Sequence, residues 1–249
     1  MATKYLQVYY TGEVFEYSKT PQPEFEEFTN KAGTVSYRKY YTKGVTGVLE
    51  SVSIQNSDFG TRVMVTLKND EDLQILQFQL NDQRGNIDDY TESLIKFLPN
   101  MVKGEEYVIY PYYFSAEDNQ KSAEDRGDEP KAKYYSSCGV SVKHSLGGVK
   151  GEKVEPALAY KGDGDNVIPQ LVWKENKATK KKKPTAVSVE AKIDFLTEKL
   201  LEATDGHLKR ETTSSTPPPA TKKEEGTKPS TKVNTPPVMD TTDDDDLPF

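Results

Sequence analysis

The 249-residue chain is 34% hydrophobic with a mean hydropathy of -0.77, so part of it lacks the apolar side chains needed to build a core. One cysteine, Cys138, excludes an intrachain disulfide framework and a multi-thiol zinc cluster, and points to a reducing cytoplasm. No stretch approaches the roughly 18 consecutive apolar residues of a membrane span, and the N-terminal MATKYLQVYY lacks a secretory h-region, so no membrane partner is expected.

Residues 1–41 contain two strand-like segments, KYLQVYYTGEVFEY and TVSYRKYYT, read as extra N-terminal strands forming a hairpin or a lid. VTGVLESVSIQ (45–55), the turn 56–60 and TRVMVTL (61–67) then read as a hairpin. Val63, Val65 and Leu67 share its buried face. A polar turn from Asn69 to Asp72 leads into a third strand, LQILQFQL (73–80).

Asp88 and Asp89 supply a helix N-cap, followed by Tyr90, Leu94, Phe97 and Leu98 at helical spacing and by Pro99 as the stop. A strand over 105–115, a charged loop over 117–133 and a last strand over 134–144 complete the body. Three strands, one short helix and two strands is the order of the OB-fold, a small Greek-key barrel. The expected fold class is therefore all-β, an OB-fold-like barrel filling residues 1–176.

Residues 177–186 read as a basic linker, and 187–205 as an amphipathic helix through Val189, Ile193, Leu196, Leu200 and Leu201. Such a helix packs on its own domain or on a second copy of the chain, which leaves a homo-oligomer open. Residues 206–239, rich in Thr, Pro and Lys, read as a disordered tether. Residues 240–249 end in Asp243, Asp244, Asp245, Asp246, Leu247, Pro248 and Phe249.

That last segment resembles the acidic C-terminal tip of bacterial single-stranded DNA-binding proteins, which phage counterparts also carry. The resemblance implies a phage-type protein in a bacterial cytoplasm. It would bind and protect single-stranded DNA with little sequence preference during replication, recombination or repair. It also implies that Phe249 enters an apolar pocket on a polymerase, primase or helicase while the aspartates meet basic side chains. An apolar ring on a solvated acidic tether suits a basic-rimmed pocket on independent grounds.

Charge distribution opposes DNA binding at first sight, because the net charge is -7 and residues 1–176 hold 20 basic against 27 acidic side chains. Any groove must be a local stripe. Aromatic and basic residues interleave around Tyr37–Lys43, at Tyr112–Phe114 and around Lys131–Tyr135, the combination that stacks bases and follows phosphates. Tyrosines in strands also serve as core and cross-strand partners, and the two rings of a Tyr-Tyr pair face opposite sides of a sheet. The candidates chosen for DNA contact are Arg38, Tyr40, Arg62, Tyr113, Lys133 and Tyr135. Trp173, the lone tryptophan, reads as an anchor for the end of the domain, with base stacking as the alternative. Lys180–Lys183 read equally as phosphate contacts or as a solvated linker.

Signals for catalysis are poor. His144 and His207 are the only histidines, Cys138 has no orienting partner nearby in sequence, and GxxxxGK[ST], GxSxG and HExxH are all missing. Asp163 and Asp165 begin like a calcium loop but lack its downstream glutamate. No enzyme, cofactor or metal is expected. The alternatives are a recombination mediator or scaffold that binds mainly protein, and a carboxylate nuclease using Asp70, Glu71 and Asp72, residues that a hairpin turn also explains.

Overall fold

The computed structural model describes residues 2–209, apart from 31, 58, 59, 70, 71, 82–84, 86, 147, 148, 163, 176–179 and 181. The expected tether beyond residue 209 and the acidic segment 240–249 lie outside the described residues, as do Asp70, Glu71, Asp163 and Lys181. Strands dominate: β1 (Thr3–Val8), β2 (Val14–Ser18), β3 (Glu26–Thr29), β4 (Val35–Tyr40), β5 (Val45–Ser57), β6 (Gly60–Asn69) and β7 (Asp72–Gln79). Helix α1 (Asp89–Ile95) and a single 3-10 turn at Leu98–Asn100 follow. Next come β8 (Glu106–Phe114), α2 (Ala116–Asp125), β9 (Ser137–Leu146) and β10 (Val149–Lys153). A small separate ribbon of β11 (Trp173–Glu175) and β12 (Lys182–Pro184) precedes α3 (Ala186–Asp205).

The large sheet has the order β10-β9-β8-β5-β6-β7-β1-β2-β4-β3. Strand β5 holds it together, pairing with β8 through Val45–Val48 on one edge and with β6 through Val48–Ser57 on the other. Its register shifts between Leu49 and Ser51, a bulge that bends the strand. Gly47 lets β5 and β6 approach closely just before it, because a Cβ there would lie 2.8 Å from the Lys68 carbonyl oxygen. The extra N-terminal strands enter through β1, which pairs in parallel with β7 from Thr3↔Leu73 to Gln7↔Gln77. Strand β7 therefore has both edges filled by β6 and β1 along this stretch.

Period-two alternation buries Val63, Val65 and Leu67 completely, together with Leu6, Leu49, Leu76 and Ile109. Helix α1 starts where the two aspartates suggest. The Asp88 carboxylate accepts from the Tyr90 and Thr91 backbone N–H groups at 3.0 and 3.4 Å, and Tyr90, Leu94, Phe97 and Leu98 are all buried. The helix stitches β7 to β9. Thr91 Oγ1 donates to the Gln79 carbonyl at 2.6 Å, and Ser93 Oγ accepts from the Val140 N–H at 2.9 Å.

Two segments differ from the sequence expectation. The charged loop 117–133 opens with α2, whose capping box joins Ser115 and Asp118 in both directions. Only Ala123 of that helix is buried, so no apolar periodicity announced it. The segment 177–186, read as a solvated linker, contains β12 and the Thr185 N-cap of α3. Helix α3 itself packs on the body: Leu196, Leu200, Ala203 and the following Leu208 join the main core, and the Leu208 carbonyl accepts from the Val52 N–H at 3.0 Å. Among the described residues no helix is long and apolar enough to cross a membrane.

Candidate nucleic-acid interface

Strand registers place Arg38, Tyr40 and Arg62 on one face of the sheet. Gln77 of β7 lies beside Gln7 of β1, Gln7 opposite Phe15 of β2, and Phe15 opposite Tyr40 of β4. Arg62, on β6, reaches into this row by donating through Nη1 to Gln77 Oε1 at 2.7 Å. Lys39, between Arg38 and Tyr40, points to the other face, where it pairs with Glu24. Tyr40 and Tyr41 part to opposite sides. Tyr40 packs on Phe15 with ring centroids 6.0 Å apart, whereas the Tyr41 hydroxyl donates to Glu16 Oε2 at 3.2 Å. Burial and that carboxylate push the Tyr41 hydroxyl up to about 12.

Arg38 is held by rings. Its guanidinium carbon sits 3.4 Å from the centroid of Phe28, 4.3 Å from Phe15 and 5.7 Å from Tyr9, and its Nε is buried with no hydrogen-bond partner among the described residues. Much of its cationic surface is thus committed within the protein. The sequence reading overlooked Tyr9, Tyr10, Phe15 and Phe28. The available signal was the Tyr9-Tyr10 pair just ahead of the Thr11-Gly12 turn.

The β1–β2 turn joins this face to the end of β8. Gly12 has φ +78°, and a Cβ there would meet the Tyr112 carbonyl carbon and the Tyr113 nitrogen at 2.9 Å. The Tyr90 hydroxyl donates to the Tyr10 carbonyl at 2.9 Å, and the rings of Tyr9 and Tyr10 lie 4.3 Å apart. Tyr113 projects from β8 opposite Cys138 of β9, and Phe114 lies opposite Ser137. Asn119 of α2 donates to the Tyr135 carbonyl and to Ser137 Oγ, each at 2.9 Å, which fixes the approach to β9. Tyr10, Tyr113, Phe114 and Tyr135 have relative exposures of 67%, 41%, 45% and 69%; Tyr113 and Phe114 project to opposite faces of β8, and the Phe114 ring lies 5.4 Å from that of Tyr112. Lys133 Nζ lies 5.0 Å from the Tyr135 ring centroid.

Trp173 is not an anchor. It stands on β11 with 57% of its surface exposed. Cys138 lies 3.7 Å from Asp89 Oδ2; burial first, then that carboxylate, push its thiol up to about 12, so the thiolate needed of a nucleophile is disfavoured at neutral pH. His144 Nδ1 is 3.5 Å from Glu105 Oε2, and His207 Nε2 is 3.1 Å from the Leu98 carbonyl. Asp72 is paired with Lys4, which accounts for its charge structurally. Among the described residues no group of three or more His, Cys, Asp or Glu side chains is arranged to hold a metal ion.

No protein-family model, curated protein or solved structure matches this chain.

Proposed function

We propose that the chain binds single-stranded DNA with little sequence preference through the sheet face of Arg62 and Tyr40 and the aromatic end formed by Tyr10, Tyr113, Phe114 and Tyr135. The observation that carries this reading is the exposure of those four rings, with Lys133 lying over that of Tyr135. Exposed rings cost hydrophobic free energy that a base stacked on each face recovers, about 1–3 kcal/mol per base, while nearby cations neutralise phosphates. Arg38 lies on this same face and stiffens Phe15 and Phe28.

The β9-β8-β5-β6-β7 order, with α1 between β7 and β8 in sequence, supports reading this core as an OB-like barrel. In that reading β1 occupies the edge of β7 through which such a barrel would close directly, and α1 bridges the remaining opening. The acidic segment Asp243–Phe249 recruits replication or repair proteins such as a polymerase, primase or helicase, by the chemistry its composition offers to a basic-rimmed apolar pocket.

Fluorescence anisotropy with labelled oligo-dT, compared with duplex DNA across a salt series, tests the reading. Saturable, salt-sensitive binding that favours oligo-dT is expected. Absence of oligo-dT binding removes it, and magnesium-dependent cleavage of the oligonucleotide would favour a nuclease instead.

A further inference from the structure

The ribbon β11–β12 lies outside the surface just described, and its charges are arranged in an unfavourable way. Lys174 faces Lys183 directly across the two strands. Like charges at this position repel, since opposed side chains in an antiparallel pair stand about 5 Å apart at Cβ. Both lysines are exposed, and neither has an ion-pair partner among the described residues. The one acid on the two strands, Glu175, is 3.8 Å from Lys180 and leaves that pair uncompensated. On the other face of the ribbon, exposed Trp173 lies opposite Pro184, and two positions along Lys182 lies opposite Glu175.

The start of α3 adds to the positive field. The Val172 carbonyl accepts from the Thr185 N–H at 2.8 Å, which ties the ribbon to the helix N-cap. This 20-residue helix has no acidic residue in its first turn, so the positive end of its dipole is not offset there. A cationic pair held against its own repulsion on one face of the ribbon, with an exposed indole on the other and a helix N-terminus close by, fits a polyanionic and aromatic strand that wraps the ribbon.

We propose that the β11–β12 ribbon is a second nucleic-acid contact, in which Lys174 and Lys183 hold phosphates of a single strand and Trp173 stacks on one of its bases. This assignment rests on the single-stranded DNA-binding reading above and extends the length of strand that one molecule covers. It gives the lone tryptophan a role in binding.

Because the chain has one tryptophan, indole emission of the full-length protein reports this ribbon alone. Titration with oligo-dT is expected to quench it saturably, with the same midpoint as anisotropy of the labelled oligonucleotide. Lys174→Glu with Lys183→Glu should lower affinity about tenfold at low salt and reduce the slope of log K against log salt by about 1.4, roughly 0.7 for each phosphate no longer neutralised. Trp173→Ala should weaken binding about five- to 150-fold with little change in that slope. If anisotropy reports binding while indole emission and the double variant's affinity and slope stay unchanged, the ribbon assignment fails and the general reading stands. If neither readout detects binding, both fail. Quenching by phosphatidylserine vesicles, or by a peptide with the sequence of residues 240–249, in the absence of quenching by oligo-dT would also overturn the assignment.

Discussion

At the residue scale, aromatic side chains of one composition divide into two roles. Arg38 and the rings of Phe15, Phe28 and Tyr9 satisfy one another, so Arg38→Ala removes both the cation–π attraction and the packing of a long aliphatic stem. A drop of about 1–2 kcal/mol in stability is expected, measured by urea unfolding. Tyr135 is different. Its ring is exposed and touches Lys133, so Tyr135→Ala should leave the unfolding midpoint nearly unchanged while weakening oligo-dT binding by about 1–3 kcal/mol. The reverse pattern, with Tyr135→Ala destabilising and binding unaffected, would make that ring structural. Sequence alone could not sort these residues. Arg38 and Tyr135 sit in equally aromatic-basic stretches, and only the cross-strand neighbours tell which is already occupied.

At the element scale, the attachment of α3 depends on a nearly buried ion pair as well as on its leucines. Lys192 Nζ of α3 lies 2.7 Å from Glu92 Oε2 of α1, and their side chains are only 21% and 6% exposed. The Tyr160 hydroxyl donates to the other Glu92 oxygen at 2.7 Å, and Lys96 Nζ lies 4.6 Å from the Tyr160 ring centroid. Removing one partner leaves a buried charge, so Lys192→Met is expected to cost about 3 kcal/mol. Adding Glu92→Gln should recover much of that deficit, because the amide oxygen still accepts from Tyr160 and no charge remains to be solvated. Urea midpoints of the single and double variants decide it; a double variant as unstable as the sum of the singles would refute the account. The amphipathic spacing of Val189, Ile193, Leu196 and Leu200 made α3 readable, but not its partner. Glu92 and Lys192 are 100 positions apart and carry no local signal of each other.

For the whole molecule, the decisive junction is the one between the N-terminal hairpin and β8. It sets the β1–β2 turn against the Tyr112–Tyr113 backbone, and it depends on an approach that only glycine allows at residue 12. Gly12→Val forces a branched residue to φ +78° and drives its Cβ into the Tyr112–Tyr113 backbone. The conformational strain alone amounts to about 1–3 kcal/mol. Stability and oligo-dT affinity are expected to fall together, because the β1–β2 turn that carries Tyr10 would be displaced from the end of β8. Unchanged affinity in a folded Gly12→Val protein would show that the two halves bind independently, or that only one of them binds.

The sequence by itself determined the elements with strong local periodicity. Alternation placed Val63, Val65 and Leu67 inside, Asp88 capped α1, and the 3.6-residue pattern marked α3, since each depends on neighbours within a few positions. Tertiary structure alone decided the parallel pairing of β1 with β7, the enclosure of Arg38 by three rings, and the exposed tryptophan opposite a proline on a lysine-lined ribbon. Parallel pairing joins residues 70 positions apart with no turn to announce it, and burial belongs to the assembled neighbourhood and not to a residue type.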